Sequence, residues 1–328
     1  MDDALSGLLN GVRPQGALFD QSALVSPWAL RFEDRTPLAL FTVFSGTAWV
    51  FPGGPGGAGG AGGSEGGDPV RLAPGDVALV TGPEPYTVAD GPTTPALAVC
   101  DGAQCTGPDG RPFVDTTGMC APLPLDPCAE TGSTVLLKGV YQVRSSVSER
   151  VLAALPRIAL VPDGPQSCPP LEMIAQELRR DVPGQQVILD RLLDLLLVTT
   201  LREWFERSGP AAPAWYRAHG DAMVGRALRL MHGDPARGWT VASLAAAVGA
   251  SRARFAHRFS EVVGQSPMAY LTEWRICRAA DLLAATDATV DAVSRQVGYS
   301  NAYALSVAFK RTRGVRPSEH RSLARAAR

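Results

Sequence analysis

The spacing of apolar positions changes character part-way along the chain. From Trp28 onward, short apolar runs recur: WALRF, LALFTVFSG, TAWVF, PVRLAPGDVALVTG and PALAVC. The apolar stretches within them are short and bounded by Gly, Pro or Asp, a pattern that predicts antiparallel strands and hairpins. Met1–Gly11 reads as a short lead helix, and Pro52–Gly67 as a flexible low-complexity insertion at a hairpin tip. From Ser146 the spacing becomes three and four, predicting helices over Ser146–Leu155, Leu171–Asp181 and Gln185–Arg207. The last carries Val187, Ile188, Leu192, Leu195, Leu196, Leu201, Trp204 and Phe205 around nearly its whole circumference. One face is expected to pack on the strands. The surplus face fits either a partner helix, most simply its copy in a homodimer, or a wholly intradomain core.

The same helical period organises Thr240–Pro267, TVASLAAAVGASRARFAHRFSEVVGQSP. Thr240 is an N-cap, Val241, Leu244, Ala245 and Val248 share a face, Gly249 stops the helix and Ser251 caps the next. Phe255 and Phe259 form a buried stripe, while Arg252, Arg254, His257 and Arg258 project elsewhere. An apolar back with an exposed hydrogen-bonding face suits a helix lying in a DNA major groove; it also suits an ordinary helical hairpin. Ala288–Pro317 repeats the arrangement in TVDAVSRQVGYSNAYALSVAFKRTRGVRP: Thr289 caps, Val290, Val293 and Val297 form the stripe, Gly298 stops, Ser300 caps, and Leu305 and Phe309 are buried. Between the units, Met268–Ala285 reads as a long helix that sets their separation.

Four pieces in order, SRARFAHRF, GQSPMAYLTEWRICRAADLL, VGYSNAYALSVAFKRTRGVRP and the closing Glu319-His320-Arg321, resemble the DNA-binding domain of the AraC/XylS family of bacterial transcription regulators. The resemblance implies base contacts from the first recognition helix at Arg252, Ala253, Ala256 and His257, with Arg254 and Arg258 beside them. In the second it implies Asn301, Ala302, Tyr303, Ser306 and Val307 toward the bases, with Lys310, Arg311 and Arg313 on phosphate. His257 and Val307 stand where the family often has Arg. The first unit is therefore expected to carry specificity and the second mostly affinity. Promoter duplex DNA and RNA polymerase are the partners implied. Leu72-Ala73-Pro74-Gly75-Asp76-Val77 resembles a corner of a cupin barrel, which this family uses in sensor domains.

The expected fold class is α+β with two domains. Residues 1–144 form a cupin-like antiparallel β-barrel, 145–207 a helical dimerisation or packing segment, 208–216 a linker, and 217–328 an all-α domain with helix-turn-helix units at 240–263 and 289–313. Charge sharpens this picture. The net charge is −1, yet residues 216–328 hold 17 Lys/Arg against 8 Asp/Glu, and the rest hold 14 against 24. A polyanion partner is expected for the basic part alone. The only lysines are Lys138 and Lys310, read as GC-rich codon usage. The acidic start MDDALSGLLNGVRP and the charges that interrupt Val187–Leu201 give no signal peptide or membrane span, so a cytoplasmic location is expected.

The four histidines, His219, His232, His257 and His320, all lie outside the first 215 residues, which argues against a metal-dependent cupin enzyme. No cofactor is expected. Cys100, Cys105, Cys120 and Cys128 cluster in a loop-rich stretch. They fit a thiol switch, with Cys100 and Cys105 the first pair, a Cys₄ zinc site, or buried small hydrophobes. The resulting expectation is a one-component regulator controlled by a small molecule or by thiol oxidation. A cupin enzyme fused to a helical module, and a constitutive DNA-binding protein with a structural barrel, are the alternatives.

Overall fold

The computed structural model describes residues 12–14, 20–53, 68–102, 104–107, 111, 133–143, 145–163, 168–180 and 182–326. The expected lead helix at 1–11, most of the Gly-rich insertion, Cys120 and Cys128 lie outside these residues. The chain divides into a sheet unit, residues 13–143 with 155–204, and a helical unit containing residues 144–154 and 205–328.

The strands are β1 (Val12–Pro14), β2 (Asp20–Val25), β3 (Ala29–Phe32), β4 (Leu38–Ser45), β5 (Ala48–Pro52), β6 (Val70–Leu72), β7 (Val77–Thr81), β8 (Tyr86–Ala89), β9 (Ala98–Asp101), β10 (Gln104–Thr106), β11 (Ser133–Val143) and β12 (Ile158–Val161). They form two six-stranded sheets. One has the order β1-β11-β4-β7-β12, with β2 also on β11, and the other β10-β9-β3-β8-β5-β6. The pairs of β11 with β2 and β4, of β7 with β4 and β12, of β8 with β3 and β5, of β5 with β6 and of β9 with β10 are antiparallel as expected, whereas β3 and β9 run parallel, with Leu30 opposite Ala98. β4 is buried continuously from Leu38 to Val43. That explains an apolar run broken only by Thr42, itself buried, since a central strand covered on both faces has no polar side to alternate with. The Pro-Gly-Asp corner holds because Asp76 accepts from the Ala73 N–H and the Asp163 N–H, both at 2.8 Å.

Lys138 is more than a codon effect. Its Nζ lies 2.7 Å from Asp34, with both side chains about one-twentieth exposed, and 3.9 Å from the Phe32 ring centroid. Removing one partner would leave a buried charge, a loss of about 3–5 kcal/mol.

Helices are α1 (Ser146–Leu152), α2 (Pro169–Leu178), α3 (Gln185–Ser208), α4 (Ala214–Arg217), α5 (Ala222–Gly233), α6 (Val241–Ala247), α7 (Arg252–Val263), α8 (Pro267–Ala285), α9 (Val290–Gln296), α10 (Ala302–Arg313) and α11 (Pro317–Ala326). The expected helical segment 145–207 needs correction. Ile158–Val161 is a strand, registered from Ile158↔Val80 to Val161↔Val77, because this short apolar run completes a sheet edge. α1 belongs to the helical unit, so the basic domain is not confined to residues after 216. α3 buries Leu189, Leu192, Leu193, Leu196, Leu197, Leu201 and Phe205, and leaves Val187, Ile188 and Leu195 between 45 and 63 % exposed. Among the described residues no helix is long and apolar enough to cross a membrane.

Candidate nucleic-acid interface

Two helix pairs, α6–α7 and α9–α10, are built alike. Thr240 opens α6 through a reciprocal cap with Ser243, and Thr289 opens α9 by accepting from the Ala292 N–H. Gly249 and Gly298 end these helices with φ of +73° and +85°. In α7 the Ser251 Oγ accepts from the Arg254 N–H at 3.3 Å. In α10 the expected Ser300 cap gives way to Asn301, whose Oδ1 accepts from the Ala304 N–H at 2.8 Å. An Asx side chain reaches the third residue onward as readily as serine does, and the chain uses the residue nearer the helix.

The first pair closes over Leu244, Ala245, Phe255, Phe259 and Val263, all buried. Phe259 packs edge-on against Tyr270 of α8. The second closes over Val293, Val297, Leu305, Ala308 and Phe309, joined to Ile276, Ala279, Ala280 and Leu283 of the same α8. Both cores are thus anchored on one 19-residue helix, about 28 Å long at 1.5 Å per residue.

On α7, Arg252, Ala253, Arg254 and His257 are exposed and Ala256 is half-buried. Arg252, Arg254 and His257 enter no ion pair among the described residues. Arg258 does. Its guanidinium meets Asp221 at 2.8 Å and Glu261 at 3.0 Å. Asp221 is itself the cap of α5, accepting from Met223 and Val224. The hydrogen bond from the Val224 N–H, together with the Arg258 guanidinium, holds the Asp221 carboxyl below its ordinary value. Arg258 therefore links α7 to α5 through Asp221.

On α10, Tyr303 is 79 % and Val307 50 % exposed. Lys310 and Arg311 are exposed beside them, and Ala302 and Ser306 are half-buried. A shallow groove runs along this face past Val290 and Arg316. The Ser306 hydroxyl donates to Ala302 O at 2.7 Å, leaving its oxygen to accept. The Asn301 carbonyl oxygen is engaged in its cap. Arg313, expected among the phosphate anchors, lies four residues beyond buried Phe309 at the back edge of the helix, where its guanidinium meets Glu149 at 3.2 Å. The apolar stripe was legible in the sequence; of the carboxylates that engage Arg258 and Arg313, Glu261 is a local neighbour, but Asp221 and Glu149 come from 37 and 164 residues away and left no local signal.

In the sheet unit, Cys100 and Cys105 are register partners across β9 and β10 and are joined as a disulfide. In that form neither sulfur is a thiolate ligand, and no group of metal-binding side chains occurs among the described residues. Cys168 and Cys277 are free thiols, both raised above the usual thiol range by burial.

Residues 3–206 match the family model described as Cupin, and residues 244–322 match a helix-turn-helix domain. A putative AraC-like transcription regulator of Streptomyces lividans is 32 % identical over 326 residues, spanning 97 % of this chain and 98 % of its own. A second, of Streptomyces antibioticus, is 33 % identical over 77 % of this chain and 80 % of its own. The crystal structure of the DNA-binding domain of AdpA, a global transcriptional factor, in complex with a target DNA is 29 % identical, covering 33 % of this chain and 97 % of that one, with a TM-score of 0.32. With a cupin domain followed by helix pairs of this build, the chain belongs to the AraC-like transcription regulators and carries a DNA-binding helix-turn-helix domain.

Proposed function

We propose that the two helix pairs act as two helix-turn-helix units, placing α7 and α10 in successive major-groove faces of promoter duplex DNA. The observation that carries this reading is the exposed hydrogen-bonding face of α7: Arg252, Arg254 and His257 stand exposed while Phe255 and Phe259, on the opposite side, are fully buried. His257 offers a ring nitrogen to a base edge, and Arg252 and Arg254 suit guanine or phosphate. On α10, Lys310 and Arg311 supply phosphate contacts while Tyr303 and Val307 present apolar surface to the bases. The test is binding of the full chain to promoter-length duplex as a function of salt. Each neutralised phosphate contributes about 0.9 to the slope of log K against log salt, so Arg254→Gln should flatten the slope by about one. A slope near zero in the unsubstituted protein overturns the reading.

The two sheets are read as the walls of a cupin-like barrel that receives the signal, in a cytoplasmic regulator that acts on RNA polymerase. A thiol signal is favoured by the Cys100–Cys105 bridge, which ties edge strand β10 to β9. The Cys100 carbonyl also accepts from the Glu33 N–H at 2.9 Å, next to the buried Asp34–Lys138 pair, so the bridge borders the interior charges. A small organic effector is the alternative. The exposed Val187, Ile188 and Leu195 of α3 suit a homodimer seam.

A further inference from the structure

α1 is strung between β11 and β12, two strands of one sheet, yet its side chains are engaged within the helical unit. Asp281 of α8 accepts from the Ser145 hydroxyl at 3.0 Å and from the Ser146 N–H at 2.7 Å, capping α1 from outside. Arg150 meets Glu273 at 3.3 Å and lies 5.2 Å from the Tyr270 ring centroid. The Tyr270 hydroxyl lies 2.8 Å from His232 Nε2, in the core beneath the first helix pair. On its other flank, Glu149 meets Arg313 at the end of α10. Tyr270, Glu273, Cys277 and Asp281 recur at three- and four-residue intervals, so they form one stripe of α8. Half-buried Cys277 lies within that stripe, close enough to Arg150 and Arg313 for both charges to bear on its thiol.

We infer that α1 is a splint for DNA binding: by joining α8 to the end of α10 it fixes the second helix pair at the separation and tilt from which Lys310 and Arg311 reach phosphate. Glu149, Asp281 and Arg313 are then positioning residues. The inference rests on the reading that both pairs engage duplex DNA. Exposed ion pairs are weak one at a time, but here they flank a half-buried carboxylate that accepts from two donors, and the set spans both helices. Main chain joins both ends of the splint to strands of the sheet unit.

The test uses the full chain and a mixed-sequence duplex of about 25 base pairs, roughly two helical turns. In Glu149→Gln/Asp281→Ala, native alkylation of Cys277, followed by peptide mass mapping, should quicken by about tenfold as α1 opens. Affinity should fall about three- to tenfold, and the salt slope should drop by about two, the share of Lys310 and Arg311. Both substitutions remove negative charge, so a bare charge effect would tighten binding; tighter or unchanged binding with a reactive Cys277 overturns the splint. A Cys277 that stays protected overturns it too. The charge-swapped Glu149→Arg/Arg313→Glu protein should protect Cys277 and keep its affinity within about twofold, since the swap rebuilds the ion pair without changing net charge. Protection with lost affinity would mean that the cation at 313 meets DNA itself, and would also overturn it. If the unsubstituted protein shows no salt-dependent binding, the two-unit reading fails instead, an outcome distinct from failure of the splint.

Discussion

Gly249 and Gly298 occupy equivalent turns, but their tolerances differ. A Cβ at Gly249 would meet nothing within 4 Å, whereas one at Gly298 would lie 2.8 Å from the backbone oxygens of Pro235 and Ala236 and from the Arg275 guanidinium. Both have positive φ, so alanine at either should cost about 1–2 kcal/mol in backbone conformation. Gly298→Ala should cost about 1–3 kcal/mol more, because main chain cannot yield as a flexible side chain does. Thermal unfolding of the two variants checks the order: equal midpoints would show that the close approach at Gly298 is readily relieved. The turn glycines were legible from sequence because stop and cap residues act within a few positions. The contact that separates them was not, since Pro235 and Ala236 approach from more than 60 residues away.

At the level of elements, Asp221 ties two helices with one carboxylate, capping α5 and receiving Arg258 of α7. Its folded-state value lies below the ordinary one, chiefly through the Val224 N–H bond and then Arg258. A depressed carboxyl contributes stability above its unfolded value and loses it as pH falls through the folded value. Asp221→Ala should therefore cost about 0.5–2 kcal/mol at neutral pH, as caps do. The gap in unfolding midpoint from the parent should close in acid; a gap that stays constant across that range would remove the carboxylate from the account. Helix starts marked by Thr240, Ser251 and Thr289 were read correctly because capping is local. β12 was missed because a four-residue run between helices has no period of its own, and its strand character comes from pairing with β7. α1 was anticipated as a helix, but the partners that place it, Asp281 and Arg313, lie far along the chain.

Across the whole molecule, charge and redox chemistry are partitioned. The basic excess lies after residue 215, and the disulfide lies in the acidic part. If the bridge is the signal, a thiol reductant should raise amide exchange along β10, the edge strand held by three register pairs and the bridge, and should shift DNA affinity. Cys100→Ser and Cys105→Ser should fix the protein in the reduced behaviour whatever the oxidant. Affinity identical in oxidant, reductant and both variants would leave the small organic effector as the signal. Partition by charge could be read from composition; membership of each unit could not, because composition is blind to where a seven-residue helix docks.

That docking bears on how such a regulator can be taken apart. A cut at the Ser208–Pro213 connection looks like a clean seam, and sequence alone would make 217–328 a transplantable cassette. Such a cassette would leave behind the residues that cover Tyr270, Glu273 and Asp281, stripping α8 along one side. Chimaeras of this protein should instead carry 144–154 with the carboxyl-terminal part, so that exchange between family members proceeds by a discontinuous module with two pieces inherited together.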